Sequence, residues 1–454
     1  FETLRRVTQA KPVVVLTVGK SDVAEFAQSH TGNLIGSYAL RASALRQAGA
    51  VVVDSTDDLV AAAALMAQHR LAPKLRAGIG ILTAQAGPGL LILDQLKSRG
   101  VSVPALAPRT LELIEQQLPP LTYLRNPVDT GRPGPSFARV LELLADDPEV
   151  SAVCAYALHE PAALRPEAVL PEVASRLTKP LLFGTAGPRA ETNETIAELR
   201  RRGLYVAASP EQLARAALVL AEDAGLQARL RRDEPRAAVQ GNVRPPREPD
   251  EHAVKQLLEA LGVPTPRRFM CSSHAEARAA LEQLTKPVVA KILTQEVSHK
   301  TELGGVQLNI ADEQALAGAL AKLDAIPLTS PRRYLLEEMA PPGLELIVGG
   351  KRDASFGPTL MVGLGGILAE ALRDTATRLA PVSLAEASDM LGELRAAPLL
   401  AGFRNSPPLD CRALTEAIVS VGNFLVLRPE VTELEINPLR VYPRGVLALD
   451  GLLR

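Results

Sequence analysis

The chain has 454 residues, room for about three domains at roughly 150 residues each. Its apolar content of 47 % and charged content of 22 % are those of an ordinary globular protein. Fifty basic against fifty-one acidic residues leave a net charge of -1. That balance excludes the basic excess of a nucleic-acid binder and gives no polybasic membrane signal. No apolar run reaches the roughly 18 residues of a membrane span. Aromatic content is 3 %, with no tryptophan, which argues against base-stacking platforms. Cys154, Cys271 and Cys411 are too widely spaced for a disulfide framework or a metal knuckle, and read as thiols of a reducing, cytoplasmic setting.

In chain order, residues 1–11 read as the tail of a helix, and the absence of an initiating methionine leads us to expect an upstream segment before Phe1. Short Val/Leu/Ala-rich runs follow at 12–19, 48–55, 78–84, 150–157, 179–187 and 203–209. They alternate with helical patterns such as 57–68, 87–99 and 136–146. Runs of this kind, apolar on both faces, predict parallel sheets with crossover helices. Residues 222–250 are charged, carry four prolines and show little periodicity, so they predict a linker. Beyond it we expect a helix at 251–261, a strand at 267–271, a helix at 273–284 and a strand at 287–293. Further strands are expected at 306–310, 332–338, 344–350, 358–363, 430–436 and 446–450.

The strongest chemical signal is PVVAKILTQEVSHKTELGGVQLNI (287–310). Lys291 ends one strand, and Gly304 and Gly305 let backbone N–H groups approach phosphate oxygens before the next. RRYLLEEM (332–339) puts two carboxylates at a strand end, the form of a hinge that hydrogen-bonds an adenine edge. LELIVGGKRD (344–353) carries Glu345, Lys351 and Arg352, and a glycine loop follows in PTLMVGLGGILAE (358–370). LEINPL (434–439) and ALD (448–450) place Glu435, Asn437 and Asp450 on successive strands around a turn at Pro443-Arg444-Gly445. These are hard oxygen ligands, suited to Mg²⁺, which takes one or two carboxylates plus substrate phosphates.

This ordered set resembles the ATP-grasp fold, in particular the nucleotide-binding part of the NDP-forming acyl-CoA synthetases, relatives of succinyl-CoA synthetase. The resemblance covers about residues 245–454. It implies that Lys291, Gly304, Gly305, Glu338, Met339 and Glu345 line a nucleotide site, and that Lys351 and Arg352 sit near phosphates. It also implies that Glu435, Asn437 and Asp450 hold Mg²⁺.

QSHTGNLIGS (28–37) places His30 among small residues, where a phosphoryl group on the imidazole would be uncrowded. The stretch from KPVVVLTVGKS to ASALRQAGAVVVDSTDDL resembles the succinyl-CoA-ligase-like domain of the same family, whose matching SHTG histidine is phosphorylated during turnover. ILTAQAGPG (81–89) resembles that family's glycine turn, although Ser and Asn donors are replaced by Thr83, Ala84 and Gln85. RNPVDTG (125–131) resembles a further recurring segment. His299, in the C-terminal flap, matches a second phosphate-carrying histidine. His69, His159, His252 and His274 lie in contexts with no such signal.

The expected architecture is therefore α/β. Residues 1–72 form part of one flavodoxin-like domain, 73–222 a second, 223–250 a linker and 251–454 an ATP-grasp domain. The implied reaction is acid + CoA + ATP ⇌ acyl-CoA + ADP + phosphate, with ATP/ADP, Mg²⁺ and coenzyme A as cofactors. The implied partners are a small carboxylic acid, CoA and phosphate, with no nucleic acid, no membrane and self-association into a homo-oligomer. A CoA-binding domain is expected upstream of Phe1. Two alternatives stay open: a nucleotide- or acyl-CoA-sensing module that has lost turnover, and another ATP-grasp carboxylate ligase.

Overall fold

The structure, a computed structural model, describes residues 1–20, 37–120, 122–232, 243–294, 303–365 and 374–454. The chain divides into two compact units, residues 1–232 and 233–454.

The first unit opens with α1 (Glu2–Ala10), β1 (Val14–Leu16), α2 (Tyr38–Gln47), β2 (Val51–Val53) and α3 (Thr56–Met66). It continues with β3 (Ile79–Thr83), α4 (Ala86–Ser98), α5 (Pro108–Glu115), β4 (Val128–Asp129), α6 (Phe137–Asp146) and β5 (Ala152–Tyr156). It ends with α7 (Pro166–Arg176), β6 (Leu181–Gly184), α8 (Arg189–Arg201), β7 (Tyr205–Ala207) and α9 (Pro210–Arg232). β1 and β2 pair in parallel. The larger sheet has the order β4-β3-β5-β6-β7, all parallel, the flavodoxin-like winding. Every residue of β3 and β5 is buried, as helices on both faces require. β4 is only two residues long, and the Asn126 side chain continues its edge. Ile81 N donates to Asn126 Oδ1 (2.9 Å), and Asn126 Nδ2 donates to the carbonyls of Ile79 (2.9 Å) and Pro104 (3.0 Å).

The expected linker is corrected at both ends. α9 runs on to Arg232 and buries Asp223, Ala224, Leu226 and Gln227. Arg70 grips Asp223 bidentately (2.9 and 3.1 Å) and also donates to the Thr8 carbonyl (2.7 Å), tying α1 to α9. The charges between residues 223 and 232 that suggested a solvated spacer are the outer face of a packed helix. At the other end, Val243 packs against the C-terminal core, and its carbonyl accepts from Arg428 Nε (2.8 Å). The boundary expected at 72/73 is bridged as well, because Val51, Val53 and Leu65 share one apolar core with Ile79, Ile81 and Leu220.

The second unit contains α10 (Glu251–Ala260), β8 (Arg268–Cys271), α11 (His274–Gln283), β9 (Val288–Ile292), β10 (Val306–Ile310), α12 (Glu313–Asp324) and β11 (Tyr334–Glu338). There follow β12 (Leu344–Asp353), β13 (Gly357–Leu364), β14 (Thr375–Leu379), α13 (Leu384–Glu393) and α14 (Ala397–Leu400). The last elements are α15 (Cys411–Leu427), β15 (Glu433–Val441), β16 (Val446–Ala448) and β17 (Gly451–Leu453). A small antiparallel sheet, β10-β9-β11-β8, is followed by a larger one, β14-β13-β12-β15-β16, in which β17 also pairs with β15. Strand alternation sorts β12 into two faces. Leu346, Val348, Gly350 and Arg352 turn toward α15, where a side chain at Gly350 would strike Leu425. Glu345, Ile347, Gly349 and Lys351 take the other face. The register sets Glu435 opposite Gly349 and Arg440 opposite Glu345, so these belong to that second face too. β14 and β17 were not legible in the sequence: TATRL is half polar, and GLL is too short to show a period.

Candidate functional site

The site in the C-terminal unit is organised around buried charge. Lys291 lies on β9 beside Glu337 on β11, both on the face of the small sheet that also carries Val289 and Leu335. α10 brings Glu251 and Lys255, one helical turn apart, onto the same spot. Asp250 begins that helix by accepting from Ala253 N (2.9 Å). Lys291 Nζ lies 2.7 Å from both Glu251 Oε1 and Glu337 Oε1, and Lys255 Nζ lies 2.9 Å from Glu251 Oε1. Lys255 also pairs with Glu337 Oε2. Two ammonium groups and two carboxylates therefore alternate in a closed, neutral ring. None of the four residues is more than 6 % exposed.

The third donor of Lys291 goes to the carbonyl of Leu449 (2.8 Å), the residue before Asp450. Burial disfavours the Lys291 charge, but Glu251, then Glu337 and Asp450, overcome it and hold the ammonium well above its ordinary pKa. With three acceptors for three N–H groups, Lys291 is saturated. The sequence assigned it to a triphosphate; in this structure it is the cross-link between the small sheet, α10 and the Leu449–Asp450 turn.

Of the other expected nucleotide residues, Gly305 immediately precedes β10, and its carbonyl accepts from Ile292 N (2.9 Å). Gly304 takes a positive φ of 72° with open space where a Cβ would be, as a close backbone approach requires. Met339 N donates to the Pro287 carbonyl (3.1 Å). Glu345 is held by Arg440 (3.0 and 2.8 Å), which also grips the carbonyls of Ala340 (3.0 Å) and Pro341 (2.9 Å). The connection between β11 and β12 is thus clamped from β15. Lys351 is exposed on the same face of β12 as Glu345.

Strand alternation separates the members of two neighbouring charged pairs. Glu338 alternates onto the face of the small sheet away from Lys291, and its carboxylate accepts from Thr285 N (3.0 Å). It is Glu337 that faces Lys291. Arg352 alternates away from Lys351, and its guanidinium donates to the Leu425 (2.6 Å) and Arg428 (3.2 Å) carbonyls at the end of α15. In this position it satisfies carbonyls at the helix end.

Glu435 and Asn437 stand two residues apart on β15, with Asn437 Nδ2 donating to Glu435 Oε1 (3.2 Å). That leaves the Asn437 carbonyl oxygen as a ligand atom. The Leu449–Asp450 turn is tied back to the same strand, since Asn437 N donates to the Asp450 carbonyl (3.2 Å) and Leu449 N to the Pro438 carbonyl (3.0 Å). Asp450 Oδ1 accepts from Gly451 N (2.8 Å). Among the described residues no group of three or more His, Cys, Asp or Glu gathers to hold a metal. Two carboxylates and one amide oxygen nevertheless fit Mg²⁺, whose remaining positions are commonly filled by water and phosphate.

In the first unit, the 83–89 turn leads from β3 into α4 at the carboxyl end of the sheet, beside the β3/β5 switch of strand order. Gln85 N donates to Thr83 Oγ1 (3.2 Å), and Leu158 N, after β5, donates to Gln85 Oε1 (3.1 Å). Gly89 packs against Thr83, where an added Cβ would come within 2.8 Å of the Thr83 methyl. No side chain caps the start of α4. His30, His299 and Glu370 lie outside the described residues.

Sequence reasoning missed Glu251, Lys255 and Glu337. The pair in EHAVKQLLEA looks like a solvent-exposed i, i+4 bridge. Its one signal is that Glu251, Lys255 and Leu258 share a stripe with the apolar face.

Comparison with known proteins now adds identity. The succinyl-CoA ligase-like flavodoxin domain family matches residues 1–66, and the ATP-grasp domain family matches residues 244–454. The acetate–CoA ligase [ADP-forming] I of Archaeoglobus fulgidus is 31 % identical over 98 % of this chain, and the chain spans 66 % of that protein's length. The beta subunit of the acetate–CoA ligase [ADP-forming] I of Pyrococcus furiosus is 35 % identical over 44 % of this chain and 89 % of its own. A solved structure of the dinucleotide-forming acetyl-coenzyme A synthetase 1 of Ca. Korarchaeum cryptofilum, in complex with coenzyme A, Ca-AMPCP and HgCl+, is 36 % identical. It covers 45 % of this chain and 93 % of that one, with a TM-score of 0.44. On the two domain matches and the Pyrococcus furiosus beta subunit, the chain belongs to the ADP-forming acyl-CoA synthetase family, built from a succinyl-CoA ligase-like flavodoxin domain and an ATP-grasp domain.

Proposed function

We propose that this chain carries out phosphoryl transfer in an ADP-forming acyl-CoA synthetase: acid + CoA + ATP ⇌ acyl-CoA + ADP + phosphate. The observation that carries the reading is the grouping on one face of β12 and β15. Glu345, Lys351 and Glu435 share that face, Asn437 Nδ2 donates to Glu435 Oε1, and the Leu449–Asp450 turn is tied to the same strand. Similarity to an ADP-forming acetate–CoA ligase over 98 % of this chain and 66 % of that protein supports it.

In this reading the nucleotide lies along that face, near Met339 and the clamped hinge. Lys351 faces its phosphates, and Gly304 and Gly305 lend backbone N–H groups. Lys291 holds the Leu449–Asp450 turn in place. Glu435, Asn437 and Asp450 would hold Mg²⁺, which neutralises phosphate charge when bound. A histidine nitrogen, His299 or His30, attacks the terminal phosphorus, the bond to the bridging oxygen breaks, and ADP leaves. Where His299 takes the group first, the His30 imidazole attacks that phosphorus and the His299 N–P bond breaks; a carboxylate oxygen of the acid then attacks phosphorus on His30, the His30 N–P bond breaks, and an acyl phosphate forms. CoA thiolate then attacks the carbonyl carbon and expels phosphate. Imidazole suits the carrier role because it is a competent neutral nucleophile near pH 7. The roles of both histidines rest on their sequence motifs. The uncapped start of α4 offers N–H groups to the travelling phosphate.

We further propose coenzyme A and a small carboxylic acid as the other substrates, a cytoplasmic setting, and a homo-oligomeric assembly. Among the described residues no helix is long and apolar enough to cross a membrane. The test is a thioester-formation assay on the full-length gene product over short, branched and aromatic acids. ADP release that depends on both acid and CoA is expected. ADP release without thioester, or AMP as product, overturns the reading.

A further inference from the structure

The four-membered ring of Lys255, Glu251, Lys291 and Glu337 is buried, neutral and closed, yet nothing in the proposed chemistry calls for three of its members. Each of its groups belongs to a different part of the unit except the pair on α10. Lys291 comes from β9, Glu337 from β11, and the carbonyl that completes the Lys291 contacts comes from Leu449. Asp450 follows directly. The other side of that turn is pinned to β15 through Asn437 N and the Pro438 carbonyl. The turn carrying one candidate metal ligand is therefore stretched between two anchors: the strand holding the other two ligands, and the ammonium of Lys291. α10 also packs on the turn directly, since a Cβ at Gly451 would come within 2.8 Å of Val254 Cγ1.

A lysine left with one carboxylate partner would have a donor to spare and a choice of geometries. Glu251 and Glu337, both at 2.7 Å, remove that choice and aim the third N–H at Leu449. Lys255 in turn holds both carboxylates. We propose that Glu251, Glu337 and Lys255 are positioning residues that act through Lys291 to fix the Leu449–Asp450 turn, and so set the divalent-cation requirement of nucleotide binding. The inference rests on the proposed reading of Asp450 as a Mg²⁺ ligand.

The test is equilibrium titration of the full-length protein with a fluorescent N-methylanthraniloyl-ADP at a series of Mg²⁺ concentrations. The variant is Lys255→Met/Glu251→Gln, which removes one charge of each sign and keeps side-chain volume. The Mg²⁺ concentration giving half-maximal binding should rise at least about five-fold, while affinity for the nucleotide without metal changes less than two-fold. Glu337→Gln should shift the Mg²⁺ requirement in the same direction, and it serves if the double variant does not fold. Leu323→Ala, which hollows the core on the other side of the small sheet, controls for lost stability and should leave the Mg²⁺ midpoint within two-fold. An unchanged midpoint in the ring variants, or an equal shift in Leu323→Ala, overturns the positioning role. Nucleotide binding by the unmodified protein that ignores Mg²⁺ overturns instead the reading of Asp450.

Discussion

Replacing Lys255 by Met should destabilise the C-terminal unit by an amount that depends on pH. Lys255 has no exposed side-chain surface and contacts both glutamates. Met keeps the stem and removes one positive charge, leaving two carboxylates to share Lys291. Breaking a buried ion pair costs about 3–5 kcal/mol. Protonation offers an escape: neutralising one carboxyl of ordinary pKa about 4.3 costs about 1.4 kcal/mol per pH unit above it, hence about 3.7 kcal/mol at pH 7 and about 1 kcal/mol at pH 5. The cost of the substitution should follow that slope. In the variant one carboxyl has its folded-state pKa raised, and a raised carboxyl penalises folding progressively above its unfolded pKa. The assay is amide hydrogen exchange by mass spectrometry on peptides from α10, which reports the opening free energy of that element rather than of the whole chain. The gap between the two proteins should grow from about 1 kcal/mol at pH 5 to 3–4 kcal/mol at pH 7. Adding Glu251→Gln should recover much of it at pH 7 by restoring neutrality. A gap under about 1 kcal/mol that does not vary with pH would refute the electrostatic account of the ring.

Further outcomes follow from the same contacts. Arg352→Met should lower thermal stability by about 1.5–3 kcal/mol, the worth of charged hydrogen bonds to the α15 carbonyls, and leave nucleotide affinity within two-fold; a large loss of affinity would restore its phosphate role. Lys351→Ala should do the reverse, weakening nucleotide binding with stability within about 0.5 kcal/mol, because its side chain is exposed. Asp223→Asn should cost the N-terminal unit about 2–3 kcal/mol in urea unfolding followed by circular dichroism, since it strips the charge from the Arg70 pair on α9. The N–H groups of Ala413 and Gly445 hold the Asp410 carboxyl below the usual carboxylate range. A depressed carboxyl contributes stability above its unfolded pKa of about 3.9 and loses it as pH falls through the lower folded value. Asp410→Ala should therefore cost about 1 kcal/mol at pH 7, and the difference should close in melts below pH 4.

The alternation of apolar runs and helices was legible because buried parallel strands have no polar residues to blur them: ILTA, VCAY and LLFG announce β3, β5 and β6. The adjacency of the two C-terminal motifs was legible for a similar reason. LEINPL puts polar residues where a core strand would otherwise be apolar, and the structure ties ALD back to it. Side-chain direction was harder to read. EE and KR each offer two neighbouring charges, and a strand sends neighbours to opposite faces. Glu338 and Arg352 point away from Glu337 and Lys351, a division that adjacent like charges in a sequence do not reveal. The α9 helix was hidden because its outer face is charged and prolines follow. The buried ring was hidden because Glu-x-x-x-Lys is the commonest solvent-facing pattern a helix offers, and its burial depends on strands more than thirty residues away.

The central claim is that an imidazole carries phosphate between nucleotide and acid. Its most direct test is to incubate the full-length gene product with Mg²⁺ and ATP labelled on the terminal phosphate, and to map the labelled residue by mass spectrometry. The account predicts an acid-labile, base-stable phosphoprotein with label on His30, discharged by adding acid and CoA together; in His30→Ala any remaining label sits on His299 and is not discharged by acid and CoA. Label on neither histidine, or full thioester synthesis by His30→Ala, would contradict it.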